Sequence, residues 1–235
     1  MSRAFGISWK VVLLLLACSL PARSQESQIL PEIDAHLDLR FKLRAFVEAK
    51  DDRDGGDSSQ FAIGPSVQFY LKPLIKLKRV QTFDLDDSKS RALVLEAGYR
   101  HITAPDTPPR ERMVLAATSH FPLAAGFRLS DRNRADLDWK GGRFYWRYRN
   151  KLSIERTFEI HSYHFIPYIA AEPFYESQYS KWSTTSLYSG CLFPVGKHVE
   201  FNAYYEHDNN TSKNPNKQAN SAGLALYLFF SVLKQ

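Results

Sequence analysis

The stretch Ile33–Lys50, IDAHLDLRFKLRAFVEAK, alternates between apolar and ionic residues along its whole length. Its odd-numbered positions are all apolar, whereas its even-numbered positions are charged or polar, with Phe46 as the exception. Successive side chains of a β-strand point to opposite faces. The stretch therefore predicts a long β-strand that is apolar on one face and ionic on the other.

The same alternation recurs along the rest of the chain, with turn residues between the alternating segments. No later segment keeps the apolar period of about 3.6 residues that a helix requires. Further strands are predicted at Gln60–Leu71, Ala92–Ile102, Arg112–Phe121, Gly126–Trp139, Arg143–Phe158, Tyr163–Ser177, Thr185–Phe193, Val199–His207 and Asn220–Val232. About ten strands result. The segment Lys72–Ser90 is too long for a turn and contains IKLKRVQTF, which leaves about twelve strands as the alternative.

The connectors between these strands differ in length. DDRDGGDSSQ and TAPDTPPRE are long and polar, whereas FPLAAG and PVGK are short. Short turns on one rim and longer loops on the other are typical of an outer-membrane barrel. We therefore expect an all-β protein that forms a single antiparallel up-and-down transmembrane β-barrel with both termini on the periplasmic side.

The N-terminus has the pattern of a secretory signal peptide. Arg3 and Lys10 precede the apolar run Val11–Leu20, which small residues follow. The run is shorter than the roughly 20 residues of a membrane-spanning helix. We expect residues 1–24 to be removed on export and residues 25–235 to form the barrel domain. In the alternative interpretation, Cys18 lies in a lipoprotein box and is lipidated.

Composition limits the classes of partner and cofactor. The formal net charge is +6, but the basic residues are interleaved with acids and form no block, so nucleic acid is not expected as a partner. Cys191 is the single cysteine of the expected mature chain, which excludes an intramolecular disulfide. No glycine-rich phosphate loop or cysteine pair is present, and no cofactor is expected.

Two magnitudes favour a wall that faces lipid over a soluble sheet. A strand of about seventeen residues, tilted by about 40°, rises roughly 40 Å, more than the roughly 25 Å apolar band of an outer-membrane barrel. A basic side chain at the lipid midplane costs about 2–4 kcal/mol, so the ionic faces must line the lumen. The expected lumen charges are Arg40, Lys42, Arg44, Arg132, Arg134, Asp136, Arg147, Arg149, Glu172, Glu176 and Glu200. A soluble periplasmic ligand-binding barrel is the alternative.

Aromatic residues cluster beside the predicted turns. Rings are typical of the two interfaces between a membrane and water, which makes the outer-membrane bilayer the expected partner. The expected interfacial aromatic residues are Trp139, Phe144, Trp146, Tyr148 and Trp182.

Several segments resemble a family of bacterial proteins, the domain-of-unknown-function 2490 family. They are LEAGYRHI, LSDRNRADLDWKGGRFYWRYRNKLSIER, PYIAAEPFYESQY and YYEHDNNTSKNPNKQANSAGLALYLFF. The resemblance extends from about Ile33 to Phe230 and implies an outer-membrane β-barrel without an assigned activity. It supplies no catalytic residue. Many outer-membrane barrels end on an aromatic residue, whereas this sequence ends FFSVLKQ.

Candidates for chemistry are few. Ser162 and His164 share one strand face and Glu172 follows, but a polar strand end is the plainer interpretation. His161, His164 and His207 match no established spacing of metal ligands, and no catalytic or metal site is expected. An ionic lumen with Arg147 paired to Glu172 predicts a structural or envelope-permeability role. A small-solute channel and an outer-membrane enzyme are the alternatives.

Overall fold

The computed structural model describes residues 26–40, 42–54, 57–71, 85–161, 163–212 and 216–232. The expected signal peptide and Cys18 lie outside these residues, and so does most of the segment Lys72–Ser90. The strands are β1 (Glu26–Arg40), β2 (Leu43–Asp54), β3 (Asp57–Leu71), β4 (Leu93–Ala104), β5 (Thr107–Pro122), β6 (Phe127–Lys140), β7 (Arg143–Arg156), β8 (Phe158–Ile160), β9 (Tyr163–Glu176), β10 (Lys181–Val195), β11 (Val199–Asn210) and β12 (Lys217–Ser231).

Within the described ranges these strands form one 12-stranded sheet that closes into a barrel. The three-residue β8 pairs with β9 alone, so eleven strands form the closed wall. The barrel prediction is confirmed, and the closed wall of eleven strands lies between the two counts that the sequence left open. Neighbouring strands are antiparallel except β1 and β12, which pair in parallel from Glu26–Ala219 to Asp38–Ser231. An odd number of strands requires one parallel pair, and β1 therefore begins at the rim opposite to the one where β12 ends. Among the described residues, β1 therefore does not begin on the side where β12 ends, contrary to the expectation for the two ends of the barrel.

The stretch Ile33–Lys50 is a hairpin and not the single strand that its alternation predicts. The chain reverses between Arg40 and Leu43, and Asp38 pairs with Arg44 across the two strands. From Asp38–Arg44 onward, paired residues of this hairpin have the same parity, so the alternation continues through the turn without a visible break. Phe46, the apolar exception, points inward, where its ring lies 5.0 Å from that of His36. Its position in the ionic face is thus explained by packing inside the barrel.

The two rims do not divide into long loops and short turns. We call the rim where β1 begins rim A and the opposite one rim B. Several stretches expected as long loops on rim A are strand ends joined by tight turns, for example Ala104 to Thr107. The turn between β6 and β7 uses Gly141 and Gly142, both at positive φ. β3 ends and β4 begins at rim B.

Apolar side chains point outward from the wall, and most of the charged side chains point inward. On the outside, Ile29, Ile169 and Leu224 are 57%, 60% and 57% exposed. On the inside, Arg44 and Asp136 are fully buried. Among the described residues no helix is long and apolar enough to cross a membrane.

Small residues of β12 make room for rings in the interior. The inward positions of β12 include Ser221, Gly223 and Ala225, all buried. The ring of Tyr204, on β11, lies against Gly223, where an added Cβ would come within 2.0 Å of its Cζ atom. Glycine is therefore required at this position by close packing.

Candidate functional site

The barrel interior contains two cavities of about 320 and 510 Å³. The larger cavity extends toward rim A, where Asp52, Gln60 and Arg110 line it, and the smaller one lies nearer rim B. A layer of residues lines both cavities and includes Glu32, Glu48, Arg132, Lys151 and Asn202. Strand alternation places these polar groups inside, because each shares its strand with outward apolar neighbours. The interior is the candidate functional site.

Asp136 is the centre of an arginine cluster on one wall. Its carboxylate is fully buried and lies 2.6 Å from the guanidinium of Arg134 and 3.1 Å from that of Arg147. Arg112 and Arg149 approach it to 3.7 Å. These residues meet because β6 pairs with β5 and β7 and presents Asp136 between them. One carboxylate thus compensates several guanidinium charges that would otherwise repel one another.

A bidentate ion pair joins β7 to β9. Arg149 donates to both carboxylate oxygens of Glu172 at 2.9 Å, and Tyr188 donates to the same carboxylate at 3.1 Å. The guanidinium also lies 4.5 Å from the ring centre of Phe174. The expected partner of Glu172 was Arg147, which instead contacts Asp136. The physical reason is register, because Glu172 is a diagonal neighbour of Arg149 and lies too far along β9 for Arg147.

A short segment, Leu85–Ala92, folds over the interior at rim B. Asp86 of this segment accepts a hydrogen bond from Arg44, which also donates to Asp38 at 2.7 Å. Burial raises the pKa of the Asp86 carboxyl, but the charges of Arg44 and Lys89 outweigh burial and hold that pKa well below its usual range. His120 contacts the carbonyl oxygen of Arg91 at 2.8 Å. These contacts attach the segment to β2 and β5.

The remaining predicted lumen charges differ in their placement. Glu176 lies inside near rim A, 3.9 Å from Arg147, and Arg132 lies 3.9 Å from Glu96. Glu200 is buried in the interior. Lys42 is exposed in the turn between β1 and β2 and does not belong to the lumen, because the predicted continuous strand is a hairpin. The side chain of Arg40 lies outside the described part of the chain.

Several further interior charges lie outside the predicted lumen set. Arg100 donates to Glu48 at 2.8 Å, and Arg112 forms a bidentate pair with Asp138 at 2.6 and 2.9 Å. Arg128 forms an ion pair with Glu155. The parity of β4 and β5 would have placed Arg100 and Arg112 inside, but both strands carry few other charges, so their ionic face was not conspicuous.

The predicted interfacial aromatic residues form a cluster on the outer surface of β6, β7, β9 and β10. Ring centres of Trp139 and Phe144 lie 5.1 Å apart, and those of Tyr148 and Trp182 lie 6.1 Å apart. Trp146 stacks on Tyr175, a ring that was not among the predicted set, at 5.4 Å. All of these residues lie in the half of the barrel nearer rim A, and the cluster forms part of the outer wall.

A family model described as a protein of unknown function (DUF2490) matches residues 32–219. The chain belongs to this family. The matched residues run from within β1 to the first residues of β12 and so cover most of the wall that encloses both cavities, without the greater part of β12. The resemblance deduced from the arginine-rich strand pair is confirmed, although the family description assigns no activity. No curated protein and no solved structure matches the chain.

The residues considered for catalysis or metal binding in this DUF2490 protein are not brought together. Glu172 lies eight positions after His164 on β9, which separates them by about 27 Å in an extended strand, and Ser162 lies outside the described residues. His207 is near rim A, where it contacts Asn220 at 2.8 Å, whereas His161 and His164 are at rim B. The described residues contain no group of three or more His, Cys, Asp or Glu side chains that could hold a metal ion.

Proposed function

We propose that this protein is an outer-membrane barrel with a structural or envelope-permeability role, whose lumen is filled by ion pairs. The observation that carries the proposal is the division of the wall into an apolar outside and an ionic inside. Strands of 14 to 16 residues, such as β5, β6 and β7, rise roughly 35–40 Å when tilted by about 40°, enough for an apolar band of about 25 Å.

The outer surface supports lipid as its solvent. Large apolar side chains are exposed on all sides of the barrel, for example Ile33, Val67, Leu115, Leu152 and Phe193. The largest apolar patch on a soluble monomer is about 300–600 Å². A continuous apolar exterior around a closed barrel exceeds that size, and a bilayer removes it from water.

The interior supports a restricted lumen. The Asp136 cluster, the Arg149–Glu172 pair and the Arg44–Asp86 contact cross-link strands from rim A to rim B. Each pair holds long side chains in the path that a solute would take. We therefore propose at most a narrow path for ions through the folded barrel.

A small-solute channel is the second candidate function. It is favoured by the two cavities, which share lining residues. Passage would require movement of the segment Leu85–Ala92, which folds over the rim B end.

Envelope fractionation tests the location. Full-length protein expressed with its N-terminal segment should sediment with outer membranes, alongside a porin marker and apart from a soluble periplasmic marker. The folded barrel should also migrate faster in gels before boiling than after it. Recovery in the soluble periplasmic fraction without detergent would contradict the proposal and favour a soluble barrel.

Planar-bilayer recording tests the state of the lumen. The reconstituted protein should give only small and infrequent currents, because ion pairs occupy the interior. Large and stable single-channel steps, comparable with those of a general porin in the same bilayer, would instead establish the channel function.

A further inference from the structure

Two cations in the middle layer of the barrel lack a close acidic partner. Arg132 on β6 and Lys151 on β7 are directly opposite each other in the register of these strands. The closest described acid to Arg132 is Glu96 at 3.9 Å, and its Nε atom has no hydrogen-bond partner. Lys151 lies 3.8 Å from the ring centre of Tyr188 and forms no ion pair among the described residues. Like charges that face each other across a strand pair are destabilising.

Two acids in the same interior likewise lack a close basic partner. Asp34 on β1 is directly opposite Glu48, which is already paired with Arg100. Asp34 is 92% buried, and its Oδ1 atom has no hydrogen-bond partner within the described ranges. Glu32, on the same strand, is opposite Lys50, but Lys50 contacts Asp52 at 3.4 Å.

The two sets of charges lie on opposite walls of the barrel. In the closed sheet, β1 is five strands from β6 in one direction and five strands from β7 in the other. Glu32, Asp34, Arg132 and Lys151 all line the 320 Å³ cavity. Between the walls, Asn202 connects the hydroxyl groups of Tyr168 and Tyr227 at 3.1 and 3.2 Å. Of the other acids that line this cavity, Glu48 pairs with Arg100, Glu155 with Arg128 and Asp86 with Arg44. Arg132 and Lys151 on one wall and Glu32 and Asp34 on the other therefore remain opposite each other across a polar surface.

We propose that this cavity binds a small zwitterionic solute, of the class of an amino acid or a short peptide. The carboxylate of the solute contacts Arg132 and Lys151, and its ammonium group contacts Glu32 and Asp34. A simple anion would compensate Arg132 and Lys151 but would be repelled by Glu32 and Asp34. A simple cation would compensate the two acids but would be repelled by the two basic side chains. A zwitterion satisfies both sets with charge-assisted hydrogen bonds. The proposal concerns the folded interior and does not depend on where the barrel is located.

The solute enters from rim A. The larger cavity shares the middle layer with the smaller one and extends to residues near the ends of strands at rim A, including Asp52, Arg110 and Glu176. At rim B the segment Leu85–Ala92 is attached by Arg44 through Asp86. A volume of 320 to 510 Å³ lies within the range of about 300–1,000 Å³ that is usual for small-molecule sites.

Calorimetric titration of the purified barrel in detergent tests the class of solute. Glycine, 4-aminobutanoate and 6-aminohexanoate carry the same two charges at increasing separation, whereas acetate and methylammonium carry one each. At matched ionic strength, at least one zwitterion should bind at least about tenfold more tightly than acetate or methylammonium, the effect of one additional charge-assisted hydrogen bond. Equally tight binding of acetate alone, or no binding of any zwitterion, would overturn the proposal.

Variants test the site itself. Arg132→Gln and Asp34→Asn should each weaken binding of the preferred zwitterion by at least about tenfold. Lys42→Gln and Glu159→Gln, which change the same charges at exposed positions, should leave the affinity unchanged. Without solute, Arg132→Gln should not lower the unfolding temperature, because it relieves repulsion from Lys151. A lowered unfolding temperature together with unchanged binding would assign Arg132 a structural role and overturn the proposal.

Discussion

Replacement of Arg149 by Gln should destabilise the barrel more than the same replacement of Arg147. Arg149 forms a bidentate pair with Glu172, whose side chain is only 2% exposed. In Arg149→Gln that carboxylate keeps Tyr188 as its hydrogen-bond donor but loses its guanidinium. Arg147 contacts Asp136, which Arg134 also holds at 2.6 Å, and Glu176, whose side chain is 22% exposed, so its removal leaves no fully buried carboxylate without a cation.

The magnitudes follow from this difference in compensation. Removal of one partner of a buried ion pair costs about 3–5 kcal/mol. The Arg149 side chain is 17% exposed to the lumen, so we expect the lower end of that range, about 3 kcal/mol, for Arg149→Gln. Arg147→Gln should cost about 1 kcal/mol, the value of an ordinary hydrogen bond. The double variant Arg149→Gln/Glu172→Gln should recover at least about 1.5 kcal/mol of the Arg149→Gln loss, because no buried charge remains unpaired.

Reversible urea unfolding in detergent micelles, followed by tryptophan fluorescence and by gel mobility, measures these free energies. Arg147→Gln is the matched control, since it removes the same group two residues away on the same face. Equal losses for Arg147→Gln and Arg149→Gln, or additive losses in the double variant, would refute the assigned pairing.

Three further changes test other parts of the structure. Gly223→Ala should lower the free energy of unfolding by about 1–3 kcal/mol, because its Cβ would overlap the ring of Tyr204, and Gly223→Ala/Tyr204→Leu should recover part of the loss in urea unfolding. In lipid vesicles, Trp146→Phe should change stability by less than about 1 kcal/mol and Trp146→Arg should lower it by about 2 kcal/mol; the reverse order would contradict an apolar surrounding. The pKa of Asp86 is lower in the folded than in the unfolded protein, so its carboxylate stabilises the fold above the unfolded pKa near 4, and this stabilisation is lost as the pH falls below that value. Asp86→Asn should remove this acid dependence from the thermal unfolding temperature. An unchanged dependence of the unfolding temperature on pH would count against the contact with Arg44.

The facing of side chains could be predicted from the sequence because it depends only on parity within a strand. In β6 and β7, Arg134 and Arg149 point inward while Trp146 points outward. The burial of Asp136 followed from the same rule. The alternation is a property of each strand by itself, so the face of a side chain can be assigned without knowing which strands are neighbours.

Strand count and pairing could not be predicted, because both depend on features that leave parity unchanged. The turn after Arg40 preserves the alternation, so Ile33–Lys50 resembles one strand. A register shift of two residues likewise keeps every side chain on its face, yet it moves the partner of Glu172 from Arg147 to Arg149. The ends of the strands at rim A are polar, and in the sequence a polar stretch between two alternating segments resembles a loop.

The ionic interior also explains how a wall with a uniform exterior can have one register. Apolar outward side chains such as Leu and Val would tolerate a shift of two residues with little loss, since lipid or water contacts all of them alike. Inside, the same shift would separate Arg149 from Glu172 and Arg112 from Asp138, and each broken buried pair costs about 3–5 kcal/mol. The charges therefore contribute to specificity even where an apolar pair of equal volume would be as stable. Arg132 and Lys151 depart from this rule, because no close ion pair compensates their opposition, and for that reason they are the interior cations best placed to serve a ligand.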